Sequence, residues 1–243
     1  MKRFFAGIFA FWAFVIFIIT MLPIALLMWI IGVFKEPKRT KNFRIISKLW
    51  MSLYFFLTGC SLKVKGLNNF APGKNYIVIF NHNSLMDVPL STPFIPGPNK
   101  TIAKAEMAKI PVFGLIYKRG SVLVDRSDKN SRKNSFIKMK EVLNMGMHMC
   151  IYPEGTRNKT SMPLKEFHGG AFRLAVETET PILPGIIFNT KKILPPGMSF
   201  YFWPAQMELH FLSPVEVSKY DDFESIKLNL HRVMSEYYAA HVK

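Results

Sequence analysis

The sequence predicts an α/β fold with a mixed, partly parallel sheet flanked by helices, preceded by a hydrophobic membrane helix or helical hairpin. After about residue 63, apolar runs of strand length alternate with helical patterns, which is typical of an α/β layer. Residues 4–34 form an uncharged run of 31 residues, longer than the roughly 18 to 20 that cross a bilayer core. We therefore expect a membrane-associating helical segment at residues 1–62 and an α/β domain at residues 63–243.

The composition excludes a disordered chain and leaves three kinds of partner. Hydrophobic residues make up 49% of the 243 residues, far too many for a solvated tail. The 32 Lys and Arg against 16 Asp and Glu give a net charge of +16, which would attract an anionic bilayer, phosphorylated substrates or nucleic acid. Cys60 and Cys150 are too few for a disulfide scaffold or a structural zinc site, so we interpret them as small buried hydrophobic residues in a reducing compartment.

The N-terminal run is too long for a signal peptide and for a straight crossing. A signal-peptide core spans about 7 to 15 residues, and a helix of this length would reach about 46 Å against a hydrocarbon core of about 30 Å. Pro23 is expected to divide the run, which favours a hairpin dipping into one leaflet over a single tilted span. Basic residues are denser after the run than before it, so both topologies place the large domain on the cytoplasmic face.

The next segment, residues 42–62, has apolar residues at helical spacing: Ile45, Leu49, Leu53 and Phe56. Two interpretations fit this pattern. It is either an amphipathic helix at the membrane interface or a core helix of the following domain.

The globular part contains five predicted strands, two helices and a loop. The strands are residues 76–80, 121–124, 149–152, 182–188 and 207–211. A helix is expected at residues 130–145, because its apolar positions follow helical spacing and Gly146 supplies a C-cap. The Pro- and Gly-rich residues 191–204 indicate a loop, and residues 218–243 a closing amphipathic helix.

A histidine and an aspartate follow the first buried strand, where α/β folds place their ligands. His82 and Asp87 are five positions apart, and on one ideal helix their side chains would diverge by about 140°. They can meet only if His82 precedes a helix and Asp87 lies in its first turn. The pair would then resemble the rear half of a serine-hydrolase triad, with the carboxylate fixing the imidazole tautomer.

The chain carries no motif for a nucleophile of its own, since G-x-S-x-G, H-E-x-x-H, C-x-x-C and G-x-x-x-x-G-K are all missing from the sequence. A base without a protein nucleophile indicates that the substrate supplies the nucleophile. A second polar cluster, residues 151–157, follows another buried strand and ends at Arg157. Arginine is well shaped for bidentate phosphate recognition. This cluster alone would favour a solvated arginine at a strand exit, but together with His82 and Asp87 it favours a phosphorylated substrate.

These two clusters resemble the motifs of the glycerolipid acyltransferase family. Asn81-His82 with Asp87 is similar to its N-H-x-x-x-x-D motif, and residues 154–157 are similar to its E-G-T-R block, about 70 residues further on. Residues 118–126 and 182–184 are similar to the second and fourth family blocks. The resemblance covers roughly residues 76–187, and the hydrophobic N-terminal helices resemble the 1-acylglycerol-3-phosphate acyltransferase branch.

The resemblance implies a role for each matched residue. His82 would be the general base and Asp87 its orienting partner. The acceptor phosphate would be held by the family block together with two further basic residues: Glu154, Gly155, Thr156, Arg157, Lys104 and Arg126.

The resemblance also implies a reaction and its partners. An acyl thioester of acyl carrier protein or coenzyme A would acylate the sn-2 hydroxyl of lysophosphatidic acid in the bilayer, forming phosphatidic acid for phospholipid biosynthesis. Neither a metal nor a bound cofactor is expected. Backbone N–H groups near Gly155 or Asn83 are candidate oxyanion donors.

One departure from the family pattern lies after the third block. Many members have F-K-x-G there, whereas this chain has Phe167-His168-Gly169-Gly170. A phosphate-binding lysine at that place is therefore missing from the pattern, although Lys165 is close in sequence.

Two other functions remain open on the sequence. The acceptor could be another lysophospholipid or a lyso-aminolipid. Alternatively, the chain could be a basic membrane-anchored binding protein without catalysis. Nucleic acid is not expected as a partner, because the basic residues are dispersed and lack a recognisable nucleic-acid motif.

Overall fold

A computed structural model describes residues 1–242 and contains a seven-stranded sheet with helices on both faces. The sheet order is β1-β7-β6-β2-β5-β3-β4, and every pair is parallel except the antiparallel β6 and β7. The predicted fold class is confirmed. The strands are β1 Ser61–Lys65, β2 Ile77–Phe80, β3 Asn99–Lys104, β4 Ser121–Val124, β5 His148–Ile151, β6 Ile182–Phe188 and β7 Gln206–Phe211. The helices are α1 Lys2–Ile30, α2 Lys38–Leu57, α3 Asp87–Ser91, α4 Phe113–Gly120, α5 Lys129–Asn144, α6 Gly170–Thr178, α7 Thr190–Ile193 and α8 Phe223–His241.

The five predicted strands are confirmed within one residue at each end, but β1 and β3 were missed. β1 alternates apolar residues with lysines, and β3 has only the adjacent pair Ile102 and Ala103 between polar residues, so neither forms an apolar run. β1 begins at Ser61, where the sequence had indicated the end of a helix. The closing helix begins at Phe223 rather than 218, because the Asp222 side chain caps it there; Lys243 lies outside the described residues.

The sheet separates two apolar layers. Along β2, Val78 and Phe80 face the layer that contains α1, α2 and α3, whereas Ile77 and Ile79 face the layer of α5, α6 and α8. All four side chains are fully buried, as expected when a parallel strand is covered on both faces.

The expected break at Pro23 is wrong, because α1 continues through this residue. Contacts with α2 hold the helix on the N-terminal side of the proline. Trp50 Nε1 donates to Thr20 Oγ1 at 2.9 Å, and the Phe17 ring packs on Trp50 with ring centroids 5.4 Å apart. Beyond the proline, Met28 is fully buried. The chain reverses instead at residues 34–37 and returns as α2, so α1 and α2 together form the helical hairpin.

The predicted stripe on α2 faces outward, while the opposite side of the helix is core. Trp50 and Met51 are about 5% exposed, whereas the stripe residues are 46 to 78% exposed. The core interpretation is therefore confirmed for one face of the helix, whereas the interfacial interpretation of the exposed face stays a prediction. We call the exposed apolar side chains of α1 and α2 the outer face; they include Phe4, Ile8, Phe11, Ile19, Leu22, Leu26, Trp29, Ile45, Leu49, Leu53 and Phe56.

The first helix lies along the domain and contacts it near both ends. Near its start, the Phe202 N–H donates to the Ala6 carbonyl at 3.2 Å. Just past its end, Gly32 lies so close to the Arg119 guanidinium that a Cβ would overlap it. The 29 residues of α1 span about 43 Å. Among the described residues, Lys2–Val33 is the helical stretch long and apolar enough to cross a membrane, which indicates membrane association.

A partly buried carboxylate, that of Glu36, fastens the hairpin turn to the sheet. Glu36 accepts hydrogen bonds from Lys100 Nζ on β3 at 2.8 Å and from Thr40 Oγ1 at 2.6 Å, and Arg39 donates two more. Burial alone would raise the pKa of Glu36, but hydrogen bonds from Lys100, Thr40 and Arg39 lower it to about 2. The Glu36 carboxylate is thus ionised, and both of its oxygens accept hydrogen bonds within the fold.

Glu36→Gln is expected to lower the free energy of unfolding by about 2 kcal/mol at neutral pH, since charged hydrogen bonds are lost around Lys100. The folded pKa lies below the ordinary value of 4.5, so the contribution is present above pH 4.5 and is lost as pH falls towards 2. Unfolding in detergent across this pH range should show the two proteins converging in acid. Glu236→Gln removes an ion pair whose partners are over 60% exposed and should change little; an equal loss would contradict the anchoring role.

Candidate active site

The polar clusters predicted from the sequence meet at one edge of the sheet. β2 pairs in parallel with β5 and with β6, so the segments that follow these strands leave from the same side. Residues 81–87 follow β2 and residues 152–157 follow β5. In parallel sheets this carboxyl edge is where ligands bind.

His82 and Asp87 contact each other with the predicted geometry. His82 precedes α3 and Asp87 is the first residue of that helix. The distance from His82 Nδ1 to Asp87 Oδ2 is 2.8 Å, and the same oxygen accepts from the N–H groups of Asn83 at 2.5 Å and Ser84 at 2.7 Å. Because a fully buried carboxylate accepts from Nδ1–H, the lone pair of the neutral imidazole lies on Nε2, where it can take a proton.

The Asn81 side-chain amide fixes residues 81–87 against the neighbouring strand β6. We call residues 81–87, which carry the candidate pair His82 and Asp87, the catalytic turn. Asn81, just before His82, donates from Nδ2 to the Ile187 carbonyl at 2.9 Å and accepts from the Ile187 N–H at 2.7 Å. In the sequence, Asn81 is recognisable only as part of a motif. Its two bonds to β6 show how the asparagine holds the turn in place.

The imidazole also rests on an aromatic ring. The Tyr152 ring lies 4.6 Å from that of His82, tilted by 40°, and its hydroxyl is 2.6 Å from Ser91 Oγ. Burial raises the pKa of Tyr152 well above its ordinary value, so the phenol stays neutral.

Glu154 joins the catalytic turn to the loop that follows β5. The side chain is buried, Oε1 accepts from the His82 N–H at 2.7 Å, and Oε2 accepts from the Lys165 N–H at 2.9 Å. Burial raises the pKa of Glu154, although these two bonds oppose the effect. Both oxygens are thus occupied by backbone donors from the two segments that the residue connects.

Two cations at the edge have no partner in the described part of the chain. The half-buried Arg157 guanidinium and the exposed Lys104 ammonium, at the end of β3, make no hydrogen bond or ion pair with residues 1–242. By contrast, Arg126 donates to the Gly155 carbonyl and Lys165 Nζ donates to Thr156 Oγ1 at 2.7 Å. The carboxyl edge that carries His82 therefore also carries two cations without a partner in the described part of the chain.

A further cation, Lys191, was missed because it lies in a segment predicted as a loop. It sits on α7, directly after β6, and Nζ donates to the Thr160 carbonyl at 3.3 Å. Desolvation lowers the pKa of Lys191, while the nearby carboxylates of Glu154 and Asp87 oppose that shift. The sequence did contain one indication of Lys191: it follows a strand predicted to be buried, and such strand ends are where ligands bind.

The backbone donors suggested for an oxyanion are both engaged. The Asn83 N–H donates to Asp87, and the Gly155 N–H donates to the Tyr152 carbonyl at 3.0 Å. The suggestion therefore does not apply to these two groups, because they complete the turns that hold the two motifs, and for the N–H groups near them it stays a prediction. Three buried polar atoms beside the turn lack a partner in the described part of the chain: Asn83 Oδ1, Asp87 Oδ1 and Thr190 Oγ1. Such atoms in native sites are commonly satisfied by water or substrate.

An apolar cavity of about 100 Å³ adjoins the catalytic turn on the side of the hairpin. Val88 and Pro89, the two residues after Asp87, line one wall, and α2 and α4 supply others. Its lining suits a hydrocarbon chain. Within residues 1–242, no group of three or more His, Cys, Asp or Glu is placed to hold a metal ion.

Comparisons with known proteins place these features in one family. The model of the Acyltransferase family matches residues 61–187, just over half of the chain. A Helicobacter pylori (strain J99) protein named 1-acyl-sn-glycerol-3-phosphate acyltransferase is 34% identical over 173 residues, covering 71% of this chain and 72% of the relative. The human 1-acyl-sn-glycerol-3-phosphate acyltransferase alpha is 27% identical over 180 residues, covering 73% and 62%. A Cocos nucifera relative of the same name is 34% identical, and the match covers about half of its length.

The fold has a solved counterpart. The crystal structure of the 1-acyl-sn-glycerophosphate (LPA) acyltransferase PlsC from Thermotoga maritima matches with a TM-score of 0.85 at 23% identity, covering 99% of this chain and 97% of that one. The likeness extends through the α1–α2 hairpin as well as the sheet.

Proposed function

This chain belongs to the acyltransferase family, and from that premise we propose that it moves a fatty acyl group from an acyl thioester to the free sn-2 hydroxyl of 1-acyl-sn-glycerol 3-phosphate, forming phosphatidic acid. The observation that carries this proposal is the pairing of His82 with Asp87 beside cations that lack partners in residues 1–242. The proposed acceptor has a hydroxyl that must lose a proton and a phosphate that must be bound. The histidine serves the first requirement and the cations serve the second.

The proposed mechanism assigns the base to Nε2 of His82. An aliphatic hydroxyl is a poor nucleophile at neutral pH, so the imidazole takes its proton as the oxygen attacks the thioester carbonyl. The resulting ester keeps the acyl group, the carbon–sulfur bond breaks, and the proton passes from the imidazolium to the departing thiolate. Asp87 holds the imidazole tautomer and stabilises the imidazolium between these steps.

The acceptor phosphate is assigned to the unpaired cations. Arg157 and Lys104 bind it in this proposal, with Arg126 adjoining. Glu154 contributes by positioning, because its oxygens hold the turn of His82 and the Lys165 backbone. Gly155 and Thr156 shape the phosphate site through backbone and hydroxyl groups held by neighbouring cations.

The acyl donor is a thioester of coenzyme A or acyl carrier protein, and its hydrocarbon chain occupies the apolar cavity beside α3. We propose that no metal or bound cofactor takes part, since side chains supply both the base and the phosphate ligands. Activity should accordingly survive exhaustive treatment with a chelator.

The test is an assay of purified protein with lysophosphatidic acid and each thioester donor, following phosphatidic acid by mass spectrometry. Product from lysophosphatidic acid supports the proposal. Turnover with only another lysophospholipid or a lyso-aminolipid would move the assignment to that acceptor. Binding to anionic vesicles without any acylation would favour the non-catalytic alternative.

Arg157→Lys is expected to raise KM for lysophosphatidic acid about tenfold while leaving KM for the donor near its original value. Lysine keeps the charge but loses the planar fork that grips a phosphate with two hydrogen bonds. Steady-state kinetics with each substrate varied in turn measures the difference. Equal effects on both substrates would mean that Arg157 has a structural role only.

Membrane association is proposed to occur through the outer face, with the site on the cytoplasmic side. Because α1 contacts the domain near both of its ends, at Ala6 and Gly32, a crossing would place these contacts on opposite sides of the bilayer. A helix pair lying in one leaflet keeps both contacts and buries the exposed apolar side chains. It also brings the base to the depth of a lipid headgroup.

This topology predicts that positions 2 and 38 lie on the same side of the membrane. Single cysteines at Lys2 and Lys38, in a background with Cys60 and Cys150 replaced by alanine, should resist an impermeant thiol reagent in sealed right-side-out vesicles. Both should react after the vesicles are lysed. Labelling of position 2 alone from outside would show a spanning helix instead.

A further inference from the structure

We propose that a groove between the loop at residues 160–167 and α8 binds the phosphopantetheine arm of the acyl donor. The groove has a volume of about 470 Å³. Thr160, Met162 and Lys165 lie on its loop side, and Lys227 and Leu228 lie on its helix side. This inference rests on the proposed function and adds a binding site for the part of the donor that coenzyme A and acyl carrier protein share.

The groove is connected to the catalytic turn through one carboxylate. Glu154 accepts from the His82 backbone with one oxygen and from the Lys165 backbone with the other. At the other end of the loop, the Thr160 carbonyl accepts from Lys191, which follows the strand next to β2. A thioester carbonyl placed at the base can therefore extend its sulfur-bearing arm along this loop.

The wall of the groove is held rigidly. The Phe167 ring packs edge-on against that of His231, with centroids 4.8 Å apart, and His231 Nε2 lies 3.1 Å from the Lys165 carbonyl. Asn158 also braces the loop, because its Oδ1 accepts from both the N–H and the hydroxyl of Thr160. A site preformed in this way costs little ordering when it binds a flexible arm.

The chemistry of the lining matches the arm. Phosphopantetheine has a methyl-bearing carbon chain with two amides and ends in a phosphodiester. Met162 is 63% exposed and Leu228 66% exposed, which are large apolar surfaces to leave in water. Lys165 and Lys227 supply positive charge for an anionic end, although Lys227 also pairs with Glu224 and Glu166 lies on the loop side of the groove. Apolar walls with a few polar groups are typical of small-molecule sites.

The groove also faces water, from which a soluble acyl donor arrives, rather than lipid. Leu164 and Phe167 belong to the apolar layer of α5, α6 and α8, on the opposite face of the sheet from the hairpin. The outer face is directed to lipid, so this layer is directed to water. A water-soluble carrier reaches the site from here, while the lipid acceptor arrives from the bilayer.

The experiment compares donors that have the arm with one that lacks most of it. Leu228→Glu and Met162→Glu change exposed side chains and add negative charge to the groove. Initial rates are measured with palmitoyl-coenzyme A, palmitoyl-acyl carrier protein and the palmitoyl thioester of N-acetylcysteamine. We expect KM for both complete donors to rise about tenfold, with KM for the truncated donor and for lysophosphatidic acid within twofold of the original values. The control Ile137→Glu makes the same change on α5, at a side chain 47% exposed, and should alter none of these constants.

Three outcomes would overturn the inference: unchanged kinetics with every donor, an equal loss with the truncated donor, or a loss confined to one carrier. The first shows that the groove is unused, the second that the substitution damages the whole site, and the third that a carrier-specific surface is involved. Wild-type transfer from the truncated donor tests the proposed function separately, because that reaction needs the base and the acceptor site but not the groove.

Discussion

His82→Ala is expected to lower kcat for acyl transfer by about a hundredfold to ten-thousandfold, the range typical of losing a general base. The hydroxyl of the acceptor would have no group within the site to receive its proton during attack. KM for lysophosphatidic acid should change little, since the cations that hold the phosphate remain. Initial rates at saturating donor and acceptor measure the loss.

The folded state must be shown to survive the substitution. The His82 side chain is 19% exposed, and within residues 1–242 its ring hydrogen-bonds only to Asp87, so circular dichroism and thermal unfolding should stay close to those of the original protein. His241→Ala, at an exposed histidine near the end of α8, serves as a matched control with full activity expected. Turnover at the original rate in folded His82→Ala would falsify the proposed mechanism.

Asp87→Asn is expected to lower kcat by about a thousandfold or more, as removal of the charged partner of a catalytic histidine does elsewhere. Asp87 Oδ2 accepts from the His82 ring and from the N–H groups of Asn83 and Ser84, and an amide supplies no negative charge to this cluster of donors. The neutral imidazole can then turn or take the wrong tautomer, so Nε2 no longer presents its lone pair.

The split between kcat and KM distinguishes this effect from a simple loss of structure. KM for lysophosphatidic acid should stay near its original value in Asp87→Asn, because the cations assigned to the phosphate are unchanged. Asp221→Asn, in the exposed segment before α8, should leave both constants unaltered. A variant whose KM rises as kcat falls would assign Asp87 to folding alone.

The sequence predicted those parts of the fold that depend on local pattern. β4 and β6 were found at their observed bounds because each is an apolar run between turn residues. The contact of His82 with Asp87 followed from helix geometry, which fixes where two residues five apart can meet. Conversely, β3 was missed because its lysines interrupt the apolar pattern, although the sheet needs it between β5 and β4.

Tertiary contacts determined the features that the sequence did not predict. Pro23 would weaken an isolated helix, yet packing of Phe17 and Thr20 against α2 keeps α1 continuous. Lys191 joins the site only because β6 lies beside β2, a neighbour relation that no short motif encodes. The backbone N–H of Asn83 was unavailable as an oxyanion donor because the catalytic carboxylate had already accepted from it.

The way α1 lies along the domain has a consequence for the bilayer as a whole. In the proposed topology, a protein that meets lipid through the flank of two helices would draw its acceptor from one monolayer and return the doubly acylated product to that same monolayer. Each turnover would add a hydrocarbon chain to one side only, so the lateral area of that side would grow while the other stayed constant. Balanced growth of the membrane would then require a separate transbilayer movement of lipid, whose rate would set how long the resulting curvature stress lasts.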